Sequence, residues 1–180
     1  MTRSQWLARW TAVAICSVAL VGCATMRLNT YAAPGFDVNA YRTYKWAAGD
    51  QLATGDPRLD NNPFFLGRLQ AAVDRQLAAK GFEQLTSERA DLLVHYHARA
   101  YQGVDVRATD PPYDYCGDGG SSVHDAGTIM LELFDAPTNM LVWRGSVEGS
   151  IEGAIDDQKL MEERIDEVVA RILARLPRRS

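Results

Sequence analysis

Residues Asp91–Tyr101 alternate without a break. Leu92, Val94, Tyr96 and Ala98 fall on one side of an extended chain, and Leu93, His95, His97 and Arg99 on the other. A period of two marks a strand buried on one face only. Such a strand needs neighbours to pair with and a layer to cover its apolar side, so this run alone demands a sheet with at least one packed face. Thr128–Phe134 and Met140–Val147 supply further strands, joined by Asp135-Ala136-Pro137-Thr138-Asn139. That loop has the length and chemistry to close an antiparallel hairpin, and Trp143 is expected to anchor the core there. The aromatic and β-branched residues Phe36, Val38, Tyr41, Tyr44 and Trp46 predict a first strand within Gly35–Trp46.

The covering layer is legible as two helices. Asn62 followed by Pro63 is a cap residue with proline at the first helical position. Phe65, Leu69, Val73 and Leu77 then recur on one face, and Gly81 marks the end. A second helix is predicted from Asp156 to Leu176, acidic in its first turn, with Met161, Ile165, Val168, Ile172 and Leu176 at helical spacing and Pro177 as the stop. The order strand, helix, strands, helix favours an α+β two-layer domain, a mostly antiparallel sheet packed by an internal helix and a C-terminal helix, over a parallel doubly wound one.

The first 22 residues stand apart from this body. Arg3 and Arg9 precede an uncharged, mostly apolar run, Trp10–Gly22, of about thirteen residues, short of the roughly 20 that a spanning helix needs. Residues 1–22 read as a signal peptide. Leu20-Val21-Gly22-Cys23 is similar to the lipobox of bacterial lipoproteins: Gly22 lets a peptidase close on the bond before Cys23, whose thiol takes a diacylglyceryl group. Each buried CH₂ of an acyl chain contributes about 0.8 kcal/mol, so several chains anchor a protein effectively permanently. Ala24 is not the aspartate that holds many such proteins at the inner membrane, which points to the periplasmic face of the outer membrane. Residues 23–34 show no sustained period and read as a lipidated cysteine and tether, about 35 Å long when extended at roughly 3.3 Å per residue. Residues 35–180 form one domain.

Charge excludes one class of partner. Arg3 and Arg9 are two of 19 basic residues set against 23 acidic ones, so their removal takes the net charge from −4 to −6, whereas nucleic-acid binding needs a basic face. Once Cys16 leaves with the leader and Cys23 is acylated, Cys116 remains alone, and no internal disulfide is possible.

Chemistry is concentrated in Gly103–Ala126, which reads as a long acidic loop carrying Asp105, Asp110, Asp114, Cys116, Asp118, His124 and Asp125. His95 and His97 lie two apart on a strand and so share a face, and Cys116 and His124 would complete a set of ligands of the kind zinc accepts. Asp114, Asp118, Gly119 and Asp125 match some places of a calcium loop, but Cys116 stands where an oxygen ligand belongs. Glu132 and Glu148, on neighbouring strands, are the pair to consider for acid–base work, although carboxylates on an exposed face are ordinary. Leu93, Tyr101, Met130 and Phe134, if they share the face opposite the helices, form an apolar patch of the sort that marks a partner site.

The ordered set Tyr41…Tyr44-Lys45-Trp46, Ala79-Lys80-Gly81-Phe82, Ala90-Asp91-Leu92-Leu93-Val94 and Leu141-Val142-Trp143-Arg144-Gly145 resembles the bacterial lipoproteins grouped as domain of unknown function 4136. The likeness spans about Gly35 to Pro177. It implies an envelope location and an α+β fold, and it carries over no catalytic residue because the family has no assigned activity. The expectation is a membrane-anchored envelope lipoprotein that is not an enzyme and takes no cofactor beyond the lipid on Cys23. It would touch another envelope protein or a glycan. The alternative is a metal- or small-ligand-binding lipoprotein using His95, His97 and Cys116.

Overall fold

The computed structural model describes residues 26–48, 54, 56–60, 62–86, 89–106 and 121–180, with only the backbone of 104–106 and 121–123. The strands are β1 (Arg27–Ala32), β2 (Thr43–Trp46), β3 (Glu83–Gln84), β4 (Leu92–Val106), β5 (Ser121–Asp135) and β6 (Met140–Ser150). The helices are α1 (Pro57–Asp60), α2 (Pro63–Ala79) and α3 (Gln158–Leu173). The strands form one sheet in the order β1-β6-β5-β4-β2-β3. Pairing is antiparallel from β1 through β4, whereas β2 runs parallel to both of its neighbours. Helices α2 and α3 cover one face, α3 lying over β6 and β1. This is the α+β two-layer architecture the sequence predicts.

The helices form where capping and periodicity place them. The Asn62 side chain accepts hydrogen bonds from the N–H groups of Phe64 and Phe65, two of the donors that a helix start leaves unpaired. Phe65, Leu69, Val73 and Leu77 are all buried, and Gly81, at φ +91°, takes the left-handed conformation that ends the helix. Asp157 caps α3 by accepting from Leu160 N–H at 2.9 Å, so the helix begins at Gln158, two residues after the predicted start. Met161, Ile165, Val168 and Ile172 enter the core, as does Leu176 in the turn beyond the helix. The two helices are joined by Arg68, which reaches Glu162 and Asp166 at 2.6 Å each, and by Arg75 to Asp166 at 2.8 Å.

The predicted parity of β4 holds. Leu92, Val94 and Tyr96 are buried beneath the helices beside Leu131, Leu133 and Trp143. The hairpin between β5 and β6 closes over Ala136–Asn139: Asp135 Oδ1 accepts from the Thr138 N–H at 2.8 Å, and Asn139 adopts φ 53°.

Three expectations are corrected. Arg27–Ala32, read as tether, is edge strand β1, paired with β6 from Arg27↔Glu148 to Ala32↔Trp143. Its side chains are nearly all exposed, so no alternating pattern betrays it. The predicted first strand is confined to Thr43–Trp46: Gly35 at φ +78° and a 3-10 turn at Val38–Ala40 break the run before it. The loop Gly103–Ala126 is shorter than expected, because β4 and β5 stay paired out to Val106↔Ser121. Residues 107–120, with Cys116, Asp110, Asp114 and Asp118, lie outside the described residues, as does everything before Met26, Cys23 included.

Candidate functional site

The face of the sheet opposite the helices carries the polar chemistry. Residues of odd number in β4 and even number in β5 and β6 point there, because the helix-facing core takes the other parity. His95 is paired with Glu132 across β4 and β5, His97 with Met130, and Glu132 with Arg144 across β5 and β6. These three strands gather one compact cluster. The Glu132 carboxylate, 5% exposed, accepts from Arg144 Nε at 2.6 Å through Oε1 and lies 3.0 Å from His97 Nε2 through Oε2. Burial of a carboxylate is costly unless it is paired and hydrogen-bonded, and here both oxygens are engaged. The His95 ring packs on Phe134, centroids 4.8 Å apart. Further along, the Tyr101 hydroxyl donates to Glu148. This bond, then burial and the nearby negative charge, holds the phenol above its ordinary pKa, so it stays protonated.

The structure sorts the predicted residues. Leu93, Tyr101, Met130 and Phe134 do share the open face, and all four are half-buried. They form no continuous apolar patch, because His95, His97 and Glu132 interrupt it. His95 and His97 stand together, as parity required. His124 is on the same face but opposite Gly103, six positions from His97 and so about 20 Å away along the strand. Its ring lies over Gly103, where an added Cβ would come within 2.7 Å of it. Among the described residues no group of three or more His, Cys, Asp or Glu is arranged to hold a metal ion. Asp125, the last member of the candidate calcium loop, sits in β5 opposite Gln102. Glu132 and Glu148 are not brought together: they are four residues apart in register, about 13 Å, and each has its own partner.

Cavities add little for a ligand. The crevice between sheet and helices is apolar, lined in part by Met26, Phe65, Ala98, Ile129 and Ile165, and holds about 50 Å³. Ligand pockets usually occupy about 300–1,000 Å³. A more open concavity of about 430 Å³ lies beside Asp56, Arg58, Gln102 and Asp125, but Arg58 there is already paired with Asp56 at 2.8 Å and with Asp156 at 3.2 Å.

The four sequence motifs mostly build the scaffold. Asp74 Oδ1 accepts from the Tyr44 hydroxyl at 2.7 Å and from Trp46 Nε1 at 3.0 Å, tying α2 to β2. Asp91 Oδ2 accepts from the N–H groups of Arg42 and Thr43, each at 2.8 Å, while its own N–H donates to the Thr43 hydroxyl at 3.0 Å. Lys80 Nζ donates to the Leu176 carbonyl and Arg179 to the Gly81 carbonyl, both at 2.6 Å, fastening the C-terminal turn to the end of α2. Trp143 is buried and Gly145 leaves room for its ring. Of these motif residues, only Arg144 reaches into the polar cluster.

The fold and its open face thus define a two-layer α+β module in which the motif residues serve architecture. The chain belongs to the family described as domain of unknown function DUF4136, whose model matches residues 28–178. It is similar in fold to a PDZ domain protein from Parabacteroides distasonis, with TM-score 0.58 and 11% identity over 98% of this chain and 41% of that one. The chain therefore spans less than half of that protein. A PelC dodecamer from Paraburkholderia phytofirmans is similar at TM-score 0.52 and 12% identity, over 87% of this chain and 100% of that one. A DUF4136 family protein from Bacteroides thetaiotaomicron gives TM-score 0.49 and 12% identity, over 81% and 95% of the two chains. No curated protein matches the chain.

Proposed function

We propose that this protein is a lipid-anchored module of the bacterial envelope, held at the periplasmic face of the outer membrane by acyl chains on Cys23. There it acts through non-catalytic contact with another envelope component. The observation that carries the reading is the segment Arg3…Arg9, the uncharged run to Gly22, and Cys23 at its end, followed after only three residues by the start of a folded body. Among the described residues no helix is long and apolar enough to cross a membrane. The open face supports contact over catalysis. Its buried carboxylate, Glu132, is held by Arg144 and His97, and its phenol, Tyr101, is kept protonated by Glu148. Both groups are thus engaged with neighbours on the face itself.

Expression of the whole chain in a bacterium fed a clickable palmitate analogue tests this. The wild type is expected to carry label and to fractionate with outer membranes, and Cys23→Ala is expected to lose both. Membrane association of Cys23→Ala equal to wild type would overturn the anchor. Elemental analysis of the same preparation, made without chelator, bears on the mode of action. Near-stoichiometric zinc or copper that disappears in His95→Ala/His97→Ala would replace the contact reading with metal binding.

A further inference from the structure

The distance between Cys23 and the folded body decides how the domain sits. Met26 is fixed to the body: it packs against the core, and its Cγ would lie 3.1 Å from a Cβ placed on Gly149. Between Cys23 and Met26 the chain spans at most about 10 Å. The next residue, Arg27, is level with Glu148, Thr128 and Arg99 across the sheet. Arg99 is the middle of the 15-residue strand β4, with seven residues on to Val106 and seven back to Leu92. The sheet therefore extends about 23 Å in each direction from the level of its attachment. Standing upright, in either sense, it would drive one half of β4 and β5 through the lipid surface. With about 10 Å of slack the strands tilt by no more than about 25° from the membrane plane.

Charge then selects the side that faces down. Met26 leads into the edge strand, and beside it a concavity of about 360 Å³ is lined by Met26, Leu28, Arg171, Ala174 and Arg175. Arg27, Arg171 and Arg175 are exposed on this flank, with Arg164 nearby. The acidic residues here are already engaged: Glu167 lies between Arg164 and Arg171, at 2.9 and 2.8 Å, and Glu148 accepts from Tyr101. Arg27, on the side of β1 that shares the open face with Glu148, and Arg164, Arg171 and Arg175, along α3 with Glu167 and the Lys159-paired Glu163, give four arginines against three glutamates on a chain whose net charge is −4. Tyr31, one of the two exposed large hydrophobic residues among those described, stands on the same strand at 48% exposure. An amphipathic ring of this kind suits the headgroup layer.

We infer that the flank made by β1 and the adjoining side of α3 is a membrane-contact surface for anionic phospholipid headgroups, so that the domain lies on its β1 edge with its strands along the bilayer. The inference rests on acylation of Cys23. In this pose the unpaired backbone edge of β1 is covered by the headgroup layer, and the opposite edge, β3, stands five strand spacings away, about 24 Å.

The test uses the full acylated protein, with Cys116→Ser, in phosphatidylethanolamine–phosphatidylglycerol vesicles carrying a nitroxide on a fraction of the headgroups. A fluorophore is placed at Asn29→Cys on β1 or at Gln84→Cys on β3, both exposed sites. Strong quenching at 29 and little at 84 is expected. Arg171→Gln/Arg175→Gln should lower the ratio of docked to undocked orientations about 30-fold, from roughly 1 kcal/mol per basic residue near an anionic surface. Circular dichroism verifies that the variants are folded. Equal quenching at the two sites, or no response to loss of the two arginines, overturns the inference. So does a flank that crosslinks to a protein in whole envelopes while remaining unquenched by lipid. Mass spectrometry of the same samples separates the two levels: absent acyl chains remove the anchoring reading and this inference together, whereas acylated protein with equal quenching removes only the inference.

Discussion

Asp74→Ala is expected to destabilise the protein more than any loss of exposed charge. One carboxylate oxygen of Asp74 accepts from the Tyr44 hydroxyl at 2.7 Å and the Trp46 indole at 3.0 Å. Tyr44 is 2% exposed, so its hydroxyl has no water to turn to when that acceptor is gone. Burial, followed by the bond to Asp74, holds the Tyr44 phenol well above its ordinary pKa, and the group donates at every accessible pH. Hydrogen bonds to a charged acceptor contribute about 1.5–3 kcal/mol each, and a stranded buried donor costs about 1–3 kcal/mol. The indole sits in a half-buried position that water can partly serve, so the expected total is about 3–4 kcal/mol. Asp74→Asn keeps an acceptor in place and should cost about 1–2 kcal/mol. Tyr44→Phe removes the donor, so the Asp74→Ala/Tyr44→Phe double variant should lose less than the sum of its parts. Urea titration followed by tryptophan fluorescence gives these values, with Trp46 as a local reporter. The reasoning is refuted if Asp74→Ala unfolds within about 0.5 kcal/mol of wild type, or if the two single losses add fully.

Two glycines make a paired test: a Cβ on Gly145 would lie 2.6 Å from Trp143 Cη2 and 2.7 Å from Ile172 Cγ2, both in the buried core, whereas one on Gly67 would meet nothing within 4 Å. Gly145→Ala should therefore cost about 1–3 kcal/mol by overpacking, and Gly67→Ala, inside α2, should gain about 0.5–1 kcal/mol; thermal melts moving in the same direction for both would count against the packing described. Burial pushes the Asp91 carboxyl up, but the N–H groups of Arg42 and Thr43 and the Thr43 hydroxyl outweigh it, and its pKa lies below the ordinary value. A carboxyl lowered in the folded state stabilises above its unfolded pKa, about 3.9, and that stability is lost as pH falls through the folded value. The gap between wild type and Asp91→Asn should thus be constant above about pH 5 and narrow below about pH 4; a gap independent of pH from 3 to 7 would show that Asp91 acts without its charge.

How much could be read in advance follows from where burial is one-sided. The two long helices, β4 and the hairpin from β5 to β6 each have one face on the core and one on solvent, which writes a period of 3.6 or 2 into the residues. Strand β1 lies at the edge with nearly every side chain exposed, so nothing in Arg27–Ala32 distinguishes it from a tether. The outer ends of β4 and β5 escape for a related reason: Gln102 and Gly103 interrupt the even-numbered apolar run before Val104 and Val106 resume it, and Ser121, Ser122, His124 and Asp125 leave the start of β5 mostly polar. The shared face of His95 and His97 follows from parity alone. The pairing of Glu132 with Arg144 and His97 does not, because it needs the register of three strands.

By itself the sequence determined the caps, the buried faces, the hairpin turn and the likeness to a family, all of which depend on neighbours along the chain. Only the tertiary structure decided that Arg27–Ala32 is a strand and not a spacer, and that His97 answers to a buried carboxylate. It also decided that Arg27, where the described chain enters the sheet, is level with the middle of β4. These are matters of which residues meet across strands, and local order carries no record of that.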